Sequence, residues 1–134
     1  MRKTVKIFVG KRKTAIARAI IRDGSGKVRI NGVPVEILQP EVARMRIIQT
    51  LMLAEPYSRN YDIDVYVRGG GYMGQAEAAS IAIARALVGV TKSKRLRKIY
   101  LEFDRALLAG DPRRTESKKP LCRSARRRKQ TSYR

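Results

Sequence analysis

Histidine is absent from this 134-residue chain, and cysteine occurs once, at Cys122. Without histidine, no Ser–His or Cys–His nucleophile pair can be assembled, and a zinc site built from cysteines and histidines is excluded. A single cysteine permits no intrachain disulfide, which fits an intracellular, reducing compartment. Long apolar runs are missing as well, and none approaches the roughly 18 residues needed to span a bilayer. The opening Met1-Arg2-Lys3-Thr4-Val5-Lys6 supplies charge with no apolar stretch to follow it, so no secretory signal is expected. Acidic residues are scarce: 11 Asp and Glu stand against 31 Lys and Arg, for a net charge of +20.

What remains fits one domain with a modest core. The hydrophobic fraction is 43%, too high for a wholly disordered chain. A compact domain this cationic repels itself, so its natural complement is a polyanion, either nucleic acid or a membrane surface. The placement of the charge narrows the choice. Residues 1–30 carry ten basic and one acidic side chain, and residues 111–134 carry ten and two. Residues 31–90 carry five and six. The middle is an ordinary near-neutral domain, and the two ends face the ligand.

Val5, Ile7 and Val9 alternate with Lys6 and Phe8, a period of two that predicts a strand. Thr14 to Arg22 predicts another, with Ala15, Ala17, Ala19 and Ile21 as a small, buryable face. Asp23-Gly24-Ser25-Gly26 is a turn, after which Lys27 to Ile30 is expected to return as the hairpin partner. Asn31-Gly32 makes a second tight turn before Val33. Pro40 suits a first helical position, and Val42, Met45, Ile48 and Leu51 or Met52 follow at helical spacing as one face, until Pro56 ends the run. Tyr61 to Arg68 alternates most clearly of all. A second helix is expected from about Gln75 to Val88, with Ala79, Ile83, Ala86 and Leu87 inward and Gly89 at its end. Further helical turns are expected between Lys92 and Leu108, with Leu96, Ile99, Phe103 and Leu107 turned inward. From Asp111 the pattern stops, and too few apolar residues follow to offset the ordering entropy. Residues 1–110 therefore form the body. Residues 111–134 form an arm, ordered only on its partner, that can reach roughly 80 Å.

Gly69-Gly70-Gly71-Tyr72-Met73-Gly74 fits the spacing of a dinucleotide-binding turn, after a strand and before a helix. That fold also needs a second parallel strand with an acidic end about 20 residues on. Gly89 to Arg97 is basic and has no strand pattern. A strand-to-helix turn, or contact with an RNA phosphate, suits the glycines better. Gly24-Ser25-Gly26-Lys27-Val28 lacks the Ser or Thr after the lysine of a phosphate-binding loop, and reads as a hairpin turn. Lys11-Arg12-Lys13 would serve as a charged strand edge, yet three cations beside a further basic segment favour a phosphate patch. Lys92, Lys94, Arg95, Arg97 and Lys98 are accounted for as a solvated face. Asp62 with Asp64, and Glu102 with Asp104, are paired carboxylates, and in so basic a chain they are expected to neutralise local arginines rather than catalyse. In the arm, Arg127 and Arg128 can fork to phosphates and Tyr133 can stack on a base.

Several segments together resemble one family. They are Gly10-Lys11-Arg12-Lys13-Thr14-Ala15 with Ala17-Arg18, Ile30-Asn31-Gly32, Gly69-Gly70-Gly71 with Gly74-Gln75, Arg85-Ala86-Leu87, and Glu116-Ser117-Lys118-Lys119 through Ser124-Ala125-Arg126-Arg127-Arg128. In this order, and nearly end to end, they look like the ninth protein of the small ribosomal subunit. Asp111-Pro112-Arg113-Arg114 and the closing Ser132-Tyr133-Arg134 resemble its archaeal and eukaryotic branch, while Pro120-Leu121-Cys122 stands where a glycine-rich linker is the family pattern. The resemblance implies an α+β fold: a mixed sheet of about four strands on two to three helices, with a left-handed β-α-β crossover. It implies a non-enzymatic cytoplasmic protein of the ribosomal head, without cofactor, metal, membrane contact or obligate self-association. Its implied partners are small-subunit ribosomal RNA, peptidyl-site tRNA and neighbouring head proteins. Carried onto this chain, the ribosomal RNA contacts are Lys11, Arg12, Lys13, Arg68, Gly69, Gly70, Gly71, Gln75, Arg113, Arg114, Lys118, Lys119, Arg123, Arg126, Arg127 and Arg128. Lys129, Tyr133 and Arg134 lie nearest the tRNA. A DNA-architectural protein would share the electrostatics, but the sequence offers no base-reading helix and no dimerisation heptads.

Overall fold

The computed structural model describes residues 5–134, so Met1–Thr4, the start of the basic N-terminal segment, lie outside it. The body is an α+β fold with a five-stranded mixed sheet in the order β1-β2-β5-β3-β4. The strands are β1 (Lys6–Arg12), β2 (Ala15–Asp23), β3 (Val28–Ile30), β4 (Val33–Pro34) and β5 (Tyr61–Arg68). Helices α1 (Glu41–Leu53), α2 (Tyr72–Thr91) and α3 (Lys94–Phe103) follow the chain, with a single turn, α4 (Ala106–Ala109), closing the body. The expected count of about four strands is one short. The fifth, β4, is a two-residue edge strand containing Pro34, and a proline is tolerated there because no further strand needs its missing N–H.

The expected β2–β3 hairpin does not form. β5 inserts between them, antiparallel to β2 with Ala19 opposite Val65, and parallel to β3 with Ile30 opposite Val65. The reason lies in β5 itself. Its inward residues Val65 and Val67 are the larger partners of β2's Ala19 and Ala17, Ile63 faces Ile21, and all six are buried. A central position gives β5 ladder bonds on both sides. The turn at residues 24–27 is held by Asp62, whose Oδ1 accepts from the amides of Ser25 and Lys27, both at 2.9 Å. Those bonds hold the Asp62 carboxyl below its ordinary range. The amides that a phosphate-binding loop would offer are thus taken by the chain's own carboxylate. Asn31 extends β3 in the same way: its Oδ1 accepts from Val67 N at 2.9 Å while its own N–H donates to Val65 O at 2.8 Å.

α2 packs across the inner face of β1, β2 and β5, and α1 packs against α2. Alanines on both partners bring helix and sheet close. At Gly10 a Cβ would lie 2.6 Å from Ala82 N, so only glycine lets β1 pass. The helix is longer than expected, and Gly89 lies inside it rather than at its end, because a Cβ there would collide with the Phe8 ring.

Three expected faces are turned. Val5, Ile7 and Val9 point away from the helices, while Phe8 packs against the core. On α1 the buried positions are Ala43, Ile47 and Thr50, so Val42, Met45 and Met52 face out. On α3, Tyr100 is buried where Ile99 and Phe103 were expected, and Phe103 is exposed. Leu96 and Leu107 are buried as expected, on either side of the helix break at Asp104.

Candidate nucleic-acid interface

The C-terminal end of β1, the turn after it, the outer side of α2, α4 and the start of the arm converge on a cleft of about 1130 Å³. Its lining includes Lys11, Lys13, Arg85, Arg105, Arg113 and Arg114, with Asp111 as the one carboxylate. Lys11 lies near the end of β1, and Lys13 lies in the tight turn that follows, with φ 52°. Arg85 emerges from α2 and donates through Nη1 to Val9 O at 2.7 Å and through Nε to Leu108 O at 2.9 Å. Carbonyls fix the guanidinium without cancelling its charge. Among the described residues, Arg113 alone of the six cations has an ion-pair partner, Asp111 at 2.6 Å. Several uncompensated cations in one concave wall raise the local potential and suit closely spaced phosphates.

Arg12, the middle of the basic triplet, turns the other way. Its Nε lies 2.5 Å from Glu77 Oε2 on α2, Nη1 lies 3.5 Å from Asp111 Oδ2, and the side chain is only 12% exposed. Strand alternation dictates this: neighbours on β1 alternate faces, so Lys11 and Arg12 cannot both face outward. Arg12 and Arg113 hold Asp111 from two sides, and the hydrogen bonds from Arg113 drive its carboxyl well below the usual aspartate range. A backbone bridge between Arg12 and Asp111 also lays Asp111 along the free edge of β1. The segment after α4 therefore starts from a fixed point.

The glycine turn is shaped by packing. Gly69 and Gly70 have φ of 78° and 67°, and a Cβ on Gly69 would lie 2.6 Å from Thr14 O. Gln75 Nε2 donates back to Gly69 O at 3.1 Å, closing the turn. Gly71 is the cap residue of α2 and is open to solvent, and Arg68 is exposed just before the turn. The step after α2 is α3, not the second parallel strand that a dinucleotide fold would need. Lys118, Lys119, Arg123, Arg126, Arg127, Arg128, Lys129, Tyr133 and Arg134 lie exposed in the C-terminal segment, beyond the cleft lining. Arg126 pairs with Glu116 at 3.0 Å, and a local bridge joins Cys122 to Arg128.

The carboxylate pairs hold no chemistry of their own. Asp104 pairs with Arg46 at 3.1 Å and Glu102 with Lys98 at 3.7 Å, while Asp62 serves the turn. Among the described residues no three potential metal ligands gather, and no helix is long and apolar enough to cross a membrane.

Residues 10–134 match the family model described as Ribosomal protein S9/S16. The chain belongs to that family. It is 52% identical over 130 residues to small ribosomal subunit protein uS9 of Pyrobaculum aerophilum, covering 97% of this chain and 92% of that protein. It is 54% identical over 132 residues to the uS9 of Desulfurococcus amylolyticus, covering 97% and 94%. The uS9 of Sulfurisphaera tokodaii is 52% identical over 131 residues, covering 97% and 96%. As an S9/S16 ribosomal protein this is a structural molecule and not an enzyme. Two cleft residues of this S9/S16 chain, Arg85 and Arg105, were not among the expected contacts. Arg85 had a signal in the sequence: it is the one cation inside the otherwise apolar and small run of α2. Arg105 had none, because only the fold sets the start of α4 beside α2.

Proposed function

We propose that this protein is a structural component of the small ribosomal subunit, in its head, within the cytoplasmic ribosome. The body docks on ribosomal RNA, and the arm extends through RNA toward the peptidyl-site tRNA. The observation that carries the reading is the cleft, where Lys11, Lys13, Arg85, Arg105 and Arg114 share one wall without ion-pair partners. Lys11, Lys13, Arg113 and Arg114 are assigned to ribosomal RNA backbone, with Arg68 and the amides of Gly69 to Gly71 as a second contact. Arg12 and Gln75 act in this scheme by holding the arm root and the glycine turn. Lys118, Lys119, Arg123, Arg126, Arg127 and Arg128 neutralise phosphates along the arm, whose residues 111–134 order on RNA. Crowded phosphates release counterions as the cations replace them. Lys129, Tyr133 and Arg134 are the tRNA-proximal end. The family resemblance further assigns left-handedness to the β3-α1-β5 crossover. The curated relatives, named as small ribosomal subunit proteins, support the particle.

Deleting Lys129 to Arg134 tests the arm. Small subunits carrying the truncated chain are expected to retain it at full occupancy and to lose peptidyl-site tRNA faster in filter-binding assays. Wild-type tRNA retention would remove the arm's assigned role.

A further inference from the structure

Helix α1 is apolar on two opposite sides. Ala43, Ile47 and Thr50 form the stripe packed on the body. Val42, Met45 and Met52 are 63%, 54% and 69% exposed, and Ile37, in the turn before the helix, is 65% exposed. At about 100° per residue, positions 42, 45 and 52 cluster on the side opposite the buried stripe. A helix with a second apolar side belongs between two neighbours, and the described chain supplies one. Single exposed apolar side chains are ordinary, whereas several on one helix side mark a contact surface.

Charge decides what the second neighbour is. The arginines around α1 are all held by carboxylates of the same chain: Arg44 by Glu41 at 3.3 Å, Arg46 by Asp104 at 3.1 Å, and Arg59 by Glu55. Glu36 adds a negative charge in the turn that carries Ile37. In a protein of net charge +20 these three arginines are, among the described residues, already paired, and RNA gains nothing from methionine and valine. Methionine adapts to irregular apolar partners. We infer that the outer side of α1 is a protein-docking surface, taking a neighbouring protein that presents apolar side chains within a lysine- or arginine-bearing rim. The inference rests on the ribosomal reading above, which supplies a particle where such neighbours are available.

Photo-crosslinking inside the particle tests it. The chain carrying p-benzoylphenylalanine in place of Met45, or separately in place of Lys13, is assembled into small subunits and irradiated. The Met45 adduct is expected to survive ribonuclease and to contain a peptide of a second small-subunit protein, while the Lys13 adduct is destroyed by ribonuclease. Adding Val42→Gln and Met52→Gln, both at exposed positions, is expected to cut the Met45 protein adduct on the order of tenfold. An adduct to RNA, an adduct to a second copy of this chain, or no protein adduct in subunits that give the Lys13–RNA product would each overturn the inference. A chain that never enters small subunits would bring down the ribosomal reading, and the docking surface with it.

Discussion

Tyr100 is fully buried, and its hydroxyl donates to Thr50 O at 2.9 Å, linking α3 to the end of α1. Replacing it with phenylalanine keeps the ring and removes the donor, which is expected to cost about 1–3 kcal/mol in urea unfolding. Burial also pushes the phenol above its ordinary value of 10.0, so the neutral form is favoured in the fold. A raised pKa gives a contribution that is complete below pH 10 and fades as the pH climbs beyond it. Alkaline unfolding of the wild type is therefore expected to include a step that the Tyr100→Phe variant lacks, readable by far-UV circular dichroism against pH. Gly10→Ala should be worse, because its Cβ meets backbone rather than a flexible side chain. A loss of at least about 3 kcal/mol in the same assay is expected. Neither role is visible in the sequence: a tyrosine suits either surface or core, and a glycine's neighbour across the fold has no local signature.

At the scale of elements, the join between body and arm is a salt-bridged clamp of Arg12, Glu77, Asp111 and Arg113. Since the Asp111 carboxyl is held below its ordinary value of 3.8, its contribution is in place above that pH and is lost as the pH falls toward the lower folded value. Protection of the Asp111 and Arg113 amides against hydrogen exchange is expected to fall in that acid range, and Asp111→Asn should show the lower protection already at neutral pH. The sequence made some elements plain and hid others for physical reasons. β5 alternates because one of its faces is buried and the other is not, so its period of two is clean. α1 misled because two apolar stripes blur the phase of a 3.6-residue repeat. β3 was assigned to β2 because a short turn links them, and only the inward partners of β5 reveal the parallel pairing. Lys11-Arg12-Lys13 was legible as one cationic patch, whereas the separate direction of Arg12 needed the strand's alternation to be set against Glu77.

Across the whole molecule, the division between a neutral centre and cationic ends reappears as geometry. The N-terminal strand and the arm root meet at one cleft although they are about 100 residues apart in sequence. This arrangement separates two kinds of cation by their effect. Lys11→Ala with Lys13→Ala is expected to lower the slope of log affinity for ribosomal RNA against log salt by about two, leaving unfolding unchanged. Arg12→Ala is expected to do the reverse, with lower stability and a nearly unaltered slope. Isothermal titration at several salt concentrations, beside urea unfolding, reads both. The insertion of β5 between β2 and β3 has a further consequence for how the chain comes into being. While it is being synthesised, its first sixty residues comprise two hairpins with no edge in common. They stay apart until Tyr61 to Arg68 leaves the exit tunnel and bridges them, so a nascent chain arrested before that point should remain sensitive to protease, and one arrested after α2 should not.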